Sequence, residues 1–362
     1  MNQFARKFYS KEAEDLFAPM LPTIIEDAQL AVEEVRMMVS DPCYVEPLTL
    51  TVSWMPSNKL EANASTRGPD QHGISLAYGL AVMAYKDAAT LYTLALTHLN
   101  LDTYQELFSG IDYGQGPKQV LPMDLEPKSA REKFLRSSIA WVFLHEQAHL
   151  FQNHGPIFAS RTGQTLPFGH TDWVDDKQGA ELAGDAAWIR HCFELSADHE
   201  ASVQVIGYLL VKDEGSLERS SLWILVAAVT CLFRHFYGET RGPQSHSAKG
   251  SHPDPDARAR VALSAMINTL WHPQVRAHIS WAKTRDDIEK VMYHAFVTAS
   301  LYMQLVHFDP EQFPQFLTRL REDSSSRRTY EAGLKKMWDS LRPDVVAAHF
   351  GPEAENAMPA FD

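Results

Sequence analysis

Residues 128–154 read KSAREKFLRSSIAWVFLHEQAHLFQNH, a run of 27 residues with neither glycine nor proline, followed at once by Gly155-Pro156. Helix formers dominate it, and a glycine followed by a proline is a strong stop signal, so the run predicts one long helix ending near His154. Its second half is apolar on every side: Ile139, Ala140, Trp141, Val142, Phe143 and Leu144 precede His145, and Leu150 and Phe151 follow His149. A helix of that character belongs inside a protein. Two histidines and a glutamate in its middle therefore need a reason to be there.

The spacing supplies one. At about 100° per residue, positions four apart lie on one face of a helix, so His145 and His149 can ligate one metal ion, with Glu146 beside them rather than opposite. A carboxylate so placed can act as a general base on a metal-activated water without itself occupying the metal. HEQAH thus matches the HExxH pattern of zinc hydrolases, with His145 and His149 as metal ligands and Glu146 as the catalytic base. A catalytic zinc needs a third protein ligand. The metzincin continuation would put glycine and histidine three and six residues after His149, where Gln152 and Gly155 stand. His154, five residues after His149, falls on the opposite side of an uninterrupted helix and is expected to be structural.

The segment FELSADHEAS, residues 193–202, offers a better ligand. Glu194 and Asp198 are four apart on an expected helix and share a face. Glu194 can complete the metal site. Asp198, one turn on, can accept the free ring N–H of a ligating histidine and hold its tautomer. A di-iron carboxylate bundle, for which Glu146 and His149 would form one Glu-x-x-His, requires a second such motif. The sequence has none, since Glu289 and His294 are five apart.

These residues resemble the gluzincin peptidases that include the CAAX prenyl endopeptidases and the heat-shock membrane protease HtpX. Those proteins carry HExxH, then E-x-x-A-D, then a His-Pro with an arginine six residues after the histidine. Here the counterparts are HEQAH at 145–149, ELSAD at 194–198 and SHPDPDAR at 251–258, covering about Arg131 to Leu263. The resemblance implies a zincin-like helical core and one Zn2+ per chain. It also implies that His252 and Arg258 approach the tetrahedral intermediate or hold the site's carboxylates, with Arg260 as the alternative arginine. Independently of it, Pro253 and Pro255 with Asp254 or Asp256 read as the capped start of a helix. The expected activity is zinc-dependent hydrolysis of peptide bonds in a protein or peptide substrate. The rival is a non-catalytic zinc-binding interaction module on a degenerate peptidase fold.

Working outward, residues 11–39 show helical period through Leu16, Met20, Ile24 and Ala28, closed by Asp41-Pro42. Leu48, Leu50, Val52 and Trp54 alternate with Thr49, Thr51 and Ser53, the period of a half-buried strand and a candidate edge for an extended substrate. Residues 57–73 read as a polar loop, 74–96 as an apolar helix, and 110–127 as a loop. Helices are expected over 178–212, 216–237, 286–306, 310–322 and 327–341. The polar stretch 239–250, just before His252, reads as a loop that could gate the site. The expected fold is mainly α (α+β): an N-terminal helical region with a small sheet (1–125), a zincin-like catalytic core (126–270) and a C-terminal helical region (271–362).

Composition bounds the rest. With 45% hydrophobic and 22% charged residues the chain is an ordinary globular protein. A net charge of −13 without a clustered excess of Lys and Arg argues against a nucleic-acid partner. Cys43, Cys192 and Cys231 are too few and too scattered for a disulfide framework or a thiolate zinc site. The N-terminal stretch has no apolar h-region, and the longest apolar run, 222–233, falls short of the roughly 20 residues a membrane span needs. No membrane span and a cytoplasmic location are the expectations.

Overall fold

In the computed structural model the described residues are 18–97, 121, 126–164, 182–235, 248–250, 252–307 and 325–351. A 3-10 turn at Ala18–Met20 leads into α1 (Leu21–Val35), which buries Ile24, Ala28, Ala31, Val32 and Val35. That spacing lays one apolar stripe along the helix. A π-helical turn, Arg36–Ser40, follows and directs Ser40 inward, where its hydroxyl donates to Gln147 Oε1 at 2.8 Å.

Three strands come next: β1 (Thr49–Met55), β2 (Ala62–Thr66) and β3 (Gln71–Ala77), in the order β1-β3-β2. β1 runs parallel to β3, with Thr49 opposite Gln71 and Met55 opposite Ala77. β2 runs antiparallel to β3, with Ala62 opposite Leu76 and Thr66 opposite His72. β1 agrees with the alternation of its sequence. β2 and the first part of β3 correct the expected loop at 57–73, and Ile74–Ala77 is strand rather than helix. The residues of β2, ANAST, carry little strand propensity of their own. Pairing with β3 and burial of Ala62 and Ala64 hold them in place instead.

The chain then turns directly into α2 (Tyr78–Thr97). The long central helix is α3 (Pro127–Phe151), with Pro127 at its start and the Glu126 carboxylate accepting from Ser129 N at 2.9 Å as the cap. Every residue from Ser137 to Gln152 is buried. α3 packs against α1, α2 and β2, and against α4 (His154–Thr162), α5 (Gly184–Lys212) and α6 (Arg219–His235). The remaining helices are α7 (Pro255–Trp271), capped by the Asp254 side chain on Asp256 N, the short α8 (Pro273–Arg276), α9 (Arg285–His307) and α10 (Ser325–Ala348). α10 runs on past the expected Leu341 and contains Pro343. The protein is mainly α with one small sheet, as its sequence indicates.

One apolar core joins residues from Ile24 on α1 to Val306 on α9. A second, smaller cluster lies between α4, α5, the start of α7 and α10, centred on Phe158, Phe193, Leu334 and Trp338. No helix among the described residues is long and apolar enough to cross a membrane. Cys192 and Cys231 are buried, Cys43 is half-buried, and none forms a disulfide. The expected helix at 310–322 and most of the expected loops at 110–127 and 239–250 lie outside the described residues.

Candidate metal centre

The break after α3 differs from the expected one, and the difference shapes the site. The helix ends at Phe151, and Asn153 adopts a left-handed conformation (φ 52°, ψ 38°) that asparagine tolerates better than most residues. The chain reverses there, and Gly155-Pro156 fall in the first turn of α4 instead of ending α3. His154 therefore does not point away from His149: its Nδ1 lies 2.8 Å from His149 Nδ1. The expectation of a purely structural His154 on the far side assumed a helix that continues, and it is corrected.

α3 and α5 bring His145, His149 and Glu194 together as the sequence spacing predicts, all three buried. His145 Nε2 and His149 Nε2 are 3.2 Å apart, His145 Nε2 is 3.5 Å from Glu194 Oε2, and His149 Nε2 is 3.6 Å from Glu194 Oε1. Three ligand atoms on a tetrahedral zinc, each roughly 2.0–2.2 Å from it, would stand about 3.4 Å apart. The two histidine nitrogens stand near that spacing, each lies 3.5–3.6 Å from one of the two Glu194 oxygens, and the donor chemistry suits a metal ion. Neither oxygen of the wholly buried Glu194 accepts a hydrogen bond from the described residues, and its polar neighbours stand off at 3.5–4.0 Å. Two of those neighbours are the guanidinium groups of Arg190 and Arg258, each at 3.6 Å, and a metal ion held by the two histidines would add a third positive charge beside the buried carboxylate.

Each histidine has a polar group against its far nitrogen. His145 Nδ1 is 3.0 Å from Asp198 Oδ1, and the ring stacks on Trp141 at 5.5 Å. Asp198 is in turn gripped by Arg258, whose Nε and NH2 donate to the two carboxylate oxygens at 2.8 Å each. This paired geometry leaves His145 Nε2 facing the metal position. Burial opposes a charge on His145, but Asp198 and Glu194 outweigh it and push the pKa up to about 10. Burial likewise opposes ionisation of Glu194, and His252 and His149 outweigh it, holding the carboxyl well below its usual range.

For His149 the orientation follows from Gln152. The Gln152 amide nitrogen donates to Glu200 Oε2 at 2.7 Å and to the Ser196 carbonyl at 3.2 Å, both acceptors only, so Gln152 Oε1 must face His154 Nε2, 2.8 Å away. His154 therefore donates from Nε2 and accepts at Nδ1. Burial and the nearby His149 depress its pKa well below the usual value, which keeps it neutral as that role requires. His149 then carries its proton on Nδ1 and turns the Nε2 lone pair toward His145 and Glu194, where a metal ion could sit. The chain of contacts extends to the end of α10, since His349 Nε2 lies 3.2 Å from both oxygens of Glu200.

Glu146 is fully buried, one residue after His145. His252, just before α7, reaches 4.0 Å from Glu194 Oε2, and its side chain is 23% exposed, which makes it the most accessible residue of the group. Arg258 is the arginine that belongs to the site: Arg260 turns away toward Glu331 on α10, at 3.8 Å. Sequence reasoning missed Gln152, Ser196 and Glu200, which meet where the end of α3 packs on α5. It also missed Arg190, 3.6 Å from Glu194 Oε1. The i, i+4 spacing of Arg190 and Glu194 on α5 was a usable signal. The strands packed against α3 are β2 and, less extensively, β3, rather than β1. No family model, curated protein or solved structure matches the chain.

Proposed function

We propose that this protein is a zinc-dependent endopeptidase of the gluzincin type, with His145, His149 and Glu194 as metal ligands. The observation that carries the reading is that one ligand atom from each of His145, His149 and Glu194 falls within a 4.8 Å span on a buried helix pair, the two histidine nitrogens 3.2 Å apart, with Glu146 next in sequence to the first of them. Zinc bound there supplies a Lewis acid and lowers the pKa of a bound water toward about 7. Glu146 takes the proton from the attacking water and passes it to the leaving amine. His252, partly exposed beside Glu194, is the N–H donor for the charge that develops on the scissile carbonyl oxygen. Arg258 donates from Nε and Nη2 to the two oxygens of Asp198, and the role assigned to it is to hold Asp198 against His145. The second edge of β2 pairs with no strand among the described residues and lies beside α3. That edge, rather than β1, suits an extended peptide.

The test is metal content together with cleavage of a peptide library by the wild type and Glu146→Gln. Wild type should carry zinc and cleave, and Glu146→Gln should keep the zinc and lose cleavage. Wild type that binds zinc and cleaves nothing would make the chain a binding module. Wild type that takes up no metal would remove the site altogether.

A further inference from the structure

A second group of potential ligands lies on other helices. Asp87, on α2, is 1% exposed. His235, on α6, and His307, on α9, come together over it. His235 Nε2 is 2.7 Å from Asp87 Oδ2, His307 Nε2 is 3.7 Å from Asp87 Oδ1, and one ligand atom from each residue falls within a 4.8 Å span. The Tyr302 hydroxyl donates to Asp87 Oδ1 at 2.8 Å.

We infer that Asp87, His235 and His307 form a second metal site, which takes one divalent transition-metal ion of the zinc class and clasps α6 and α9 onto α2. Two features converge on this. The two rings stand as those of His145 and His149 do: centroids 4.8 Å apart and crossed at 73°, against 4.8 Å and 84°. Two imidazoles and one carboxylate are a donor set that suits zinc and its neighbours. Tyr302 plays the part of the outer partner that holds a ligating carboxylate in place. Without metal, His235 shares its Nε2 proton with Asp87. On binding, that proton leaves to solvent and the ion takes its place between nitrogen and oxygen. Both histidines retain some exposure (side chains 11% and 20%), so an ion can enter from solvent while the carboxylate stays buried. No residue of this group belongs to the HEQAH site, so the two sites can be loaded and removed separately.

The experiment strips the full chain with a chelator and titrates it with zinc, and with cobalt(II) for its visible spectrum. Wild type should take two equivalents, and His307→Gln and His235→Gln should each take one. The double variant His145→Ala/His149→Ala isolates the second site. It should bind one equivalent, and its thermal midpoint should rise with zinc, a rise that adding His307→Gln abolishes. Wild type that takes none, wild type whose single equivalent is lost in the double variant, or His307→Gln and His235→Gln that both still take two, overturns the inference. So does a folded double variant whose midpoint ignores zinc.

Discussion

His154→Phe tests how the metal centre is held. His154 is wholly buried and stacks on Phe193 at 4.1 Å with the rings 9° from parallel. Phenylalanine keeps that stack and nearly the same volume, but removes the acceptor 2.8 Å from His149 Nδ1. The His149 N–H is left without a partner in a place water does not reach, a loss of about 1–3 kcal/mol. Removing a group that orients a metal-ligating histidine weakens metal binding roughly 10–100-fold, and at about 1.4 kcal/mol per tenfold the two figures agree. The assay is zinc affinity by competition with a chromophoric chelator, with circular dichroism to establish folding. His154→Asn is the rescue, because its side-chain oxygen falls close to the lost Nδ1 and should restore part of the affinity. A folded His154→Phe whose zinc affinity stays within about twofold of wild type would refute the argument that His154 sets the His149 tautomer.

Zinc uptake should release a proton. With the His145 pKa pushed up to about 10 by Asp198 and Glu194 against the effect of burial, the metal-free ring is charged at neutral pH. Affinity should therefore climb with pH toward that value, read by indicator dye in weak buffer, and a pH-independent affinity between 6.5 and 9 would contradict it. The sign for the metal-free fold is the opposite: the stability contributed by charged His145 is full below about pH 6.5 and is lost as pH rises toward 10. Arg258→Met leaves the buried Asp198 carboxylate without its partner and should cost about 3–5 kcal/mol in urea unfolding. Arg258→Met/Asp198→Asn should recover part of that, and a single variant as stable as wild type would sink the account. Gly79→Ala should destabilise by about 1–3 kcal/mol, because the new methyl meets the backbone carbonyl groups of Asn58 and Lys59, which cannot rotate away. Gly207→Ala, with open space around it on an exposed turn of α5, should instead stabilise by roughly 0.5–1 kcal/mol.

Much of the site was legible without a structure because helical geometry is local. Four-residue spacing alone puts His145 beside His149 and Glu194 beside Asp198, and an all-round apolar helix can only be interior. β1 was legible for the same reason, since its alternation is written in adjacent residues. β2 was not. Its five small and polar residues become a strand because β3 offers a partner and α3 a surface to cover Ala62 and Ala64, and both lie outside any local window. Local pattern alone also left Arg258 and Arg260 as alternatives. Which of them faces Asp198 depends on how α7 packs against α5. The fate of His154 turned on one residue, Asn153, whose left-handed backbone converts an outward histidine into the support of a metal ligand. The residue types and their spacing therefore determined which chemistry this chain can hold. The tertiary structure decided which groups orient it, because hydrogen-bond partners from α4, α5 and α10 meet only when the chain has folded.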